Sequence, residues 1–301
     1  MKAKSEFRIL GRREGNEESV RFSCKGVDFH QDCFHVVAGL NAVDTREFTE
    51  RTFRALKEAG QVCARMGAYK PRTSPYSFQG YGKQCLPYVF ELAGKYGIRV
   101  ISMEVTRDEH VDEIRAALAE TGEPTGVMLQ IGTRNTQNFE LLKTVGSQRD
   151  FPILLKRGFG ITLHESLLAA EYIAASGNRD IVFCLRGMKT NFGDPHRNLV
   201  DFAHVPVVKR LTRMPVCVDP SHSVGLRGAS PDGIEDIFHA AAQGIVAGAN
   251  LVLTDIHPEP RKALVDGSQA LTLEELPAFL DDCAVAREPY LKRRALREGK
   301  A

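Results

Sequence analysis

The fold class this sequence predicts is a (β/α)8 barrel. Three observations predict it: eight short apolar runs recur from residue 34 onward, longer amphipathic stretches separate them, and 301 residues suits one such barrel. The runs are residues 34–39, 62–70, 99–105, 126–132, 152–158, 180–187, 215–222 and 250–257. They are rich in Val, Ile and Leu and do not alternate cleanly with polar residues, the pattern of parallel strands buried on both faces. An open doubly wound sheet is the alternative, but no Gly-x-Gly-x-x-Gly follows the first run.

In chain order, residues 1–33 fall outside the repeat. Two apolar stretches, 7–10 and 20–27, flank the polar segment 11–18 and predict a β-hairpin that plugs the N-terminal end of a barrel spanning 34–301. Residues 44–60 open with an Asp-Thr cap signal and stop at a glycine. Residues 162–176 carry Leu163, Leu167, Leu168, Ala170 and Ile173 at helical spacing and end before Gly177. Residues 233–248 and 273–297 read as helices on the same grounds. The basic tail 292–301 reads as a frayed, solvated helix end.

Charge and composition exclude several classes. Apolar residues make up 43% and charged residues 26%, so the chain can build a core. The net charge of +2 supplies no field toward nucleic acid or membrane. The seven cysteines form no Cys-x-x-Cys pair, which argues against a secreted disulfide framework. No run reaches 18 apolar residues and the N-terminus lacks a signal-peptide core, so a cytoplasmic location is expected.

A barrel places its chemistry at the C-terminal ends of its strands. The polar residues there are Asn41, Arg65, Lys70 to Ser74, Glu104, Arg134, Lys156, Arg157, Arg186, Lys189, Asp219 to His222, Asp255 and His257, with Asp266 in the last loop. Eight of them are cations: Arg65, Lys70, Arg72, Arg134, Lys156, Arg157, Arg186 and Lys189. One cation at a strand end is ordinarily a salt-bridge partner. Eight at one end of successive strands predict a cleft completed by a multiply charged anion, and arginine forks suit phosphate and carboxylate. His222, Asp255 and Asp266 could hold a divalent metal or form a hydrogen-bonded His–Asp set; His257 reads as a structural strand end.

Several motifs resemble those of a known family. The run Lys70-Pro-Arg-Thr-Ser-Pro-Tyr-Ser-Phe-Gln-Gly80 is similar to a signature of 3-deoxy-D-arabino-heptulosonate 7-phosphate (DAHP) synthases, of the type related to 3-deoxy-D-manno-octulosonate 8-phosphate (KDO8P) synthases. The segment from Gln130 to Lys143, Leu154-Leu-Lys-Arg-Gly158, the segment from Ala169 to Gly177 and Val218-Asp-Pro-Ser-His222 follow in the family's order. The resemblance implies a transferase that condenses phosphoenolpyruvate (PEP) with a phosphorylated aldose, usually erythrose 4-phosphate. It implies that Arg134, Lys156 and Arg186 hold PEP, with Arg65, Lys70 and Lys189 close by, and that Arg72, Thr73 and Ser74 receive the acceptor's phosphate. Lys70 or Lys156 would donate a proton, and Glu104 or a water held by Asp266 would accept one. It also implies a homodimer or homotetramer.

The sequence departs from the family's pattern in three places. The metal-ligating cysteine after the first strand is replaced by Asn41 within Gly39-Leu-Asn-Ala-Val-Asp44, which resembles the Gly-x-Asn segment of metal-independent octulosonate enzymes. No essential metal is therefore expected, with Mn²⁺ or Mg²⁺ on His222, Asp255 and Asp266 as the alternative. The sixth strand ends Cys184-Leu-Arg-Gly187, where relatives often carry an acidic residue before the arginine. Only 33 residues precede the barrel, so feedback control by an N-terminal domain is not expected. The mixed pattern leaves two alternatives: a related synthase of a specialised pathway using another aldehyde, and a non-catalytic homologue that binds PEP or sugar phosphates. A Schiff-base aldolase acting through Lys156 is a further alternative, disfavoured by the surrounding arginines.

Overall fold

The computed structural model describes residues 6–298. An antiparallel pair, β1 (Phe22–Cys24) and β2 (Val27–Phe29), precedes eight parallel strands that close into a barrel. These are β3 (His35–Leu40), β4 (Cys63–Met66), β5 (Val100–Val105), β6 (Gly126–Ile131), β7 (Ile153–Lys156), β8 (Ile181–Leu185), β9 (Val216–Val218) and β10 (Leu251–Asp255). Each pairs with its neighbour in sequence, and β10 closes on β3. Seven of the predicted apolar runs each contain one of these strands, and β3 extends one residue past the run 34–39.

Helices return the chain between strands: α1 (Arg46–Glu58), α2 (Leu86–Tyr96), α3 (Glu109–Glu120), α4 (Phe139–Ser147), α5 (Leu163–Ser176), α6 (Val205–Leu211), the short α7 (Pro220–Val224), α8 (Asp236–Val246) and α9 (Leu276–Arg297). The predicted starts have physical caps. Thr45 accepts from the Phe48 amide, and Thr162 and Glu165 form a reciprocal capping box. The helix expected at 273–297 opens three residues later, with Pro277 in its first turn. The tail expected to fray remains helical through Arg297, and residues 299–301 lie outside the described residues.

The N-terminal hairpin is real but displaced. Its turn is Lys25-Gly26, both at positive φ (46° and 77°), inside the stretch read as one strand. Residues 7–10 are not a strand. The amides of Ile9 and Leu10 instead donate to the Glu171 carboxylate at 3.1 and 2.7 Å, and the carboxylate satisfies backbone that would otherwise need a strand partner. The hairpin's Cys24, Val27 and Phe29 pack with Val37, Cys63, Val100, Met128, Leu154, Val182, Cys184, Cys217, Leu251 and Leu253 at the N-terminal end of the barrel interior.

That inner layer positions the site. Successive strand residues point to opposite faces, so the residue two beyond an inward apolar one points inward at the other end. Cys63 is followed by Arg65, Met128 by Gln130, Leu154 by Lys156, Cys184 by Arg186, Cys217 by Asp219 and Leu253 by Asp255. The intervening residues, such as Ala64, Leu129, Leu155, Leu185 and Val218, belong to the outer core beneath the helices. No helix among the described residues is long and apolar enough to cross a membrane.

Candidate active site

A cavity of about 260 Å³ opens at the C-terminal ends of the strands. Its floor is built of ion pairs. Arg65 of β4 pairs with Asp255 of β10, Lys70 meets Glu104 of β5 at 3.1 Å, and Lys156 of β7 meets Asp219 at 2.6 Å. All six side chains are buried. Removing such charges from water is costly, and each pair survives because its partner and further donors compensate. Burial alone would raise the Glu104 carboxyl, but Lys70, Lys156 and Arg65 outweigh it and hold the group below its ordinary value. Burial pulls the Lys70 ammonium down, and Glu104 only partly restores it. Gly132, at the end of β6, gives Glu104 its place, since a β-carbon there would collide with the carboxylate.

Asn41 ties the floor together. Its carbonyl oxygen accepts from Arg65 Nη2 and Lys70 Nζ, both at 2.8 Å, and its amide nitrogen donates to Asp266 Oδ2 at 2.7 Å. The orientation is dictated by charge, because the reverse would set an NH2 group against two cations. Asp219 is the second hub. As N-cap of α7 it accepts from the His222 amide at 3.0 Å, and it lies 3.0 Å from His222 Nδ1. A carboxylate only accepts, so Nδ1 carries the proton. Burial would raise Asp219, but His222, Lys156 and Arg65 hold it far below the usual carboxylate range.

The wall differs from the floor. Among the described residues, Arg72, Arg134 and Arg186 have no ion-pair partner. Arg186 is 1% exposed, and its Nε and Nη1 have no hydrogen-bond partner. Burial pushes its guanidinium below the ordinary value. Arg134 donates to Thr73 Oγ1 at 3.4 Å, which joins the loop after β6 to the Arg72-Thr73-Ser74 segment. A buried fork with unsatisfied donors, beside a chain of further cations, is suited to receive phosphate or carboxylate.

The cavity brings together most residues expected from sequence: Arg65, Lys70, Arg72, Thr73, Ser74, Glu104, Arg134, Lys156, Arg186, His222 and Asp266 all line it. Asn41 and Asp255 support it from beneath. Lys189 lies at its edge, 6.0 Å from the Phe159 ring, and does not line it. Arg157, counted among the converging cations, does not converge. It points outward, one residue after inward Lys156, and pairs with Asp201 at 2.9 Å and His204 Nδ1 at 3.0 Å. His257 is held by Asp44 at 2.8 Å, as a strand-end support.

The alternative metal set, His222, Asp255 and Asp266, is brought together on the cavity floor. His222 lies 3.8 Å from Asp255 and 3.6 Å from Asp266, yet the donors are already committed. One Asp255 oxygen takes Arg65 and the other accepts from Gln269 Nε2 at 2.6 Å, while Asn41 turns its oxygen to two cations. The Arg65 guanidinium, bonded to both Asp255 and Asn41, therefore competes with any divalent ion for these oxygens. Among the described residues, no group of three His, Cys, Asp or Glu side chains is arranged to hold a metal ion.

Gln130 and Arg197 line the cavity and were missed as site residues, and Asp219, read only as part of the strand-end segment Asp219 to His222, is a hub of the floor. The period of two along the strands finds Gln130 and Asp219, which share parity with inward Met128 and Cys217. Arg197, 3.5 Å from Asp266 and 3.2 Å from Gln269, comes from the long loop after β8, where no periodicity marks it.

The comparisons agree with this geometry. The model of the DAHP synthetase I family matches residues 23–287. A phospho-2-dehydro-3-deoxyheptonate aldolase of Thermotoga maritima is 42% identical over 262 residues, covering 87% of this chain and 72% of its own. A 2-dehydro-3-deoxyphosphooctonate aldolase of Nitratidesulfovibrio vulgaris is 28% identical over 259 residues, covering 82% of this chain and 89% of its own. The crystal structure of the Thermotoga maritima phospho-2-dehydro-3-deoxyheptonate aldolase superposes with a TM-score of 0.81 at 37% identity, covering 99% of this chain and 79% of that one. A truncated form of 3-deoxy-D-arabino-heptulosonate 7-phosphate synthase from Thermotoga maritima gives 0.77 at 34%, with 97% and 98% covered. By motif order, barrel topology and these matches, the chain belongs to the DAHP synthetase I family.

Proposed function

We propose that the chain condenses PEP with erythrose 4-phosphate and water to give DAHP and inorganic phosphate. The observation that carries this reading is the set of arginines without carboxylate partners, Arg72, Arg134 and Arg186, in the cavity that also holds Lys156. Arg134, Lys156 and Arg186 take PEP's phosphate and carboxylate, with Arg65 behind them. Arg72, Thr73 and Ser74 take the acceptor's phosphate, and His222 and Asp266 its hydroxyl groups. Lys189 adds positive charge at the edge.

The third carbon of PEP attacks the aldehyde carbon, and the carbonyl electrons move onto oxygen. Lys70, whose ammonium burial has weakened, gives that oxygen a proton. Water adds to the positive second carbon and passes a proton to Glu104, which neighbouring cations keep ionised. The bond from that carbon to the phosphate oxygen then breaks: phosphate leaves with the electron pair and takes up the proton of the new hydroxyl, whose oxygen becomes the ketone, and the proton on Glu104 returns to Lys70, 3.1 Å away. Fixed donors around the developing charges are each worth roughly 3–4 kcal/mol, and holding two anions side by side removes an entropic cost.

Asn41 positions Arg65 and Lys70, and no essential metal is required on this reading. A second reading, a related synthase using another aldehyde, is favoured by Asn41 at the cysteine position. Phosphate release is measured with chelator-treated protein, PEP and a panel of three- to five-carbon aldehydes. Release with erythrose 4-phosphate well above every other aldehyde is the expected outcome. A better acceptor in the panel supports the second reading, and no release with any aldehyde supports a non-catalytic binder. Loss of release on chelation, restored by Mn²⁺, overturns the metal-independent part. We also propose a cytoplasmic homodimer or homotetramer, checked by sedimentation.

A further inference from the structure

We infer that Phe159 is a positioning residue that stands in for a carboxylate, holding the anion-binding cations in place without neutralising them. The inference rests on the anion reading of the cavity and extends it to a residue outside the lining. Phe159 follows Lys156-Arg157-Gly158 in the loop after β7, between the strand ends that supply the wall. Its ring centre lies 4.7 Å from the Arg186 guanidinium carbon, 5.4 Å from that of Arg134 and 6.0 Å from Lys189 Nζ. Three cations from the two flanking strand ends thus meet one aromatic ring.

Like charges this close repel, and on the floor the remedy is a carboxylate for each cation. A carboxylate beside Arg186 would occupy its N–H donors and cancel its charge before any anion arrived. The negative face of an aromatic ring attracts a guanidinium while consuming no donor. That is the state of Arg186, buried, with Nε and Nη1 unbonded and the ring against it. The ring therefore fixes the plane of the fork and leaves its donors for the ligand.

The test uses the full chain and inorganic phosphate as probe, measured by titration calorimetry, alongside PEP turnover. Phe159→Leu keeps apolar bulk and removes the ring's charge distribution. We expect phosphate Kd and the KM for PEP to rise about tenfold while kcat stays within about threefold, and Phe159→Tyr to restore both. A Leu variant with unchanged Kd and KM overturns the proposal. Should Phe159→Leu fail to fold, fluorinated phenylalanines at 159 keep the shape while draining the ring face. Affinity falling with each added fluorine supports the proposal, and flat affinity overturns it. A wild-type chain that binds neither phosphate nor PEP overturns the anion reading as well, which separates the two failures.

Discussion

The floor and the wall of one cavity solve the same electrostatic problem in opposite ways. Arg65, Lys70 and Lys156 are buried and each has a carboxylate; Arg186 is equally buried and has no ion-pair partner among the described residues. The floor pairs are formed before any ligand binds; on the proposed function Arg65 and Lys70 serve geometry and proton transfer, and Lys156, which also lines the cavity, reaches PEP as well. The wall is incomplete, so its charges are available for binding. The lesson is that a cation at a strand tip has no function until its partner is known.

The sharpest way to break this comparison is to remove one floor partner. Asp255→Ala leaves Arg65 buried and unpaired, and unfolding free energy should fall by about 3–5 kcal/mol together with turnover. Denaturant titration checks it, and an unchanged midpoint would show that the floor pairs are not structural. On the wall the sign should reverse. Arg186→Met removes a buried, uncompensated charge, so stability should hold or rise while kcat/KM for PEP falls about 100-fold. A loss of stability comparable with Asp255→Ala would erase the distinction between the regions.

The smallest expected effect is the pH dependence. Asp219 and Glu104 are held below their ordinary values in the fold, so each contributes stability above the unfolded carboxylate's pKa. That contribution is lost as pH falls through the lower folded value. Stability should therefore decline below about pH 4, and Asp219→Asn should flatten the decline. Melting temperatures between pH 3 and 7 decide the point.

How much of this was legible in the sequence follows the range of the interactions. All eight strands were visible because burial on both faces is written into each short run. The start of α1 was visible because its cap signal, Asp44-Thr45, is adjacent in sequence, and Thr45 accepts from the Phe48 amide. The hairpin register was misread because Glu171, about 160 positions away, satisfies the backbone of residues 9–10. Arg157 was misplaced because adjacent strand residues face opposite ways, and composition does not say which of Lys156 and Arg157 looks inward.

The sequence by itself determined the barrel, the order of its strand–helix units and the gathering of cations at one end, because hydrophobic periodicity and strand-end chemistry are local. Only the tertiary structure decided which cations are neutralised and which stay free. Asp255 reaches Arg65 across 190 positions and Asp219 reaches Lys156 across 63, whereas among the described residues no carboxylate forms an ion pair with Arg186. Coulomb pairing acts through distance in space and inward or outward direction on a strand, and the closed barrel fixes both.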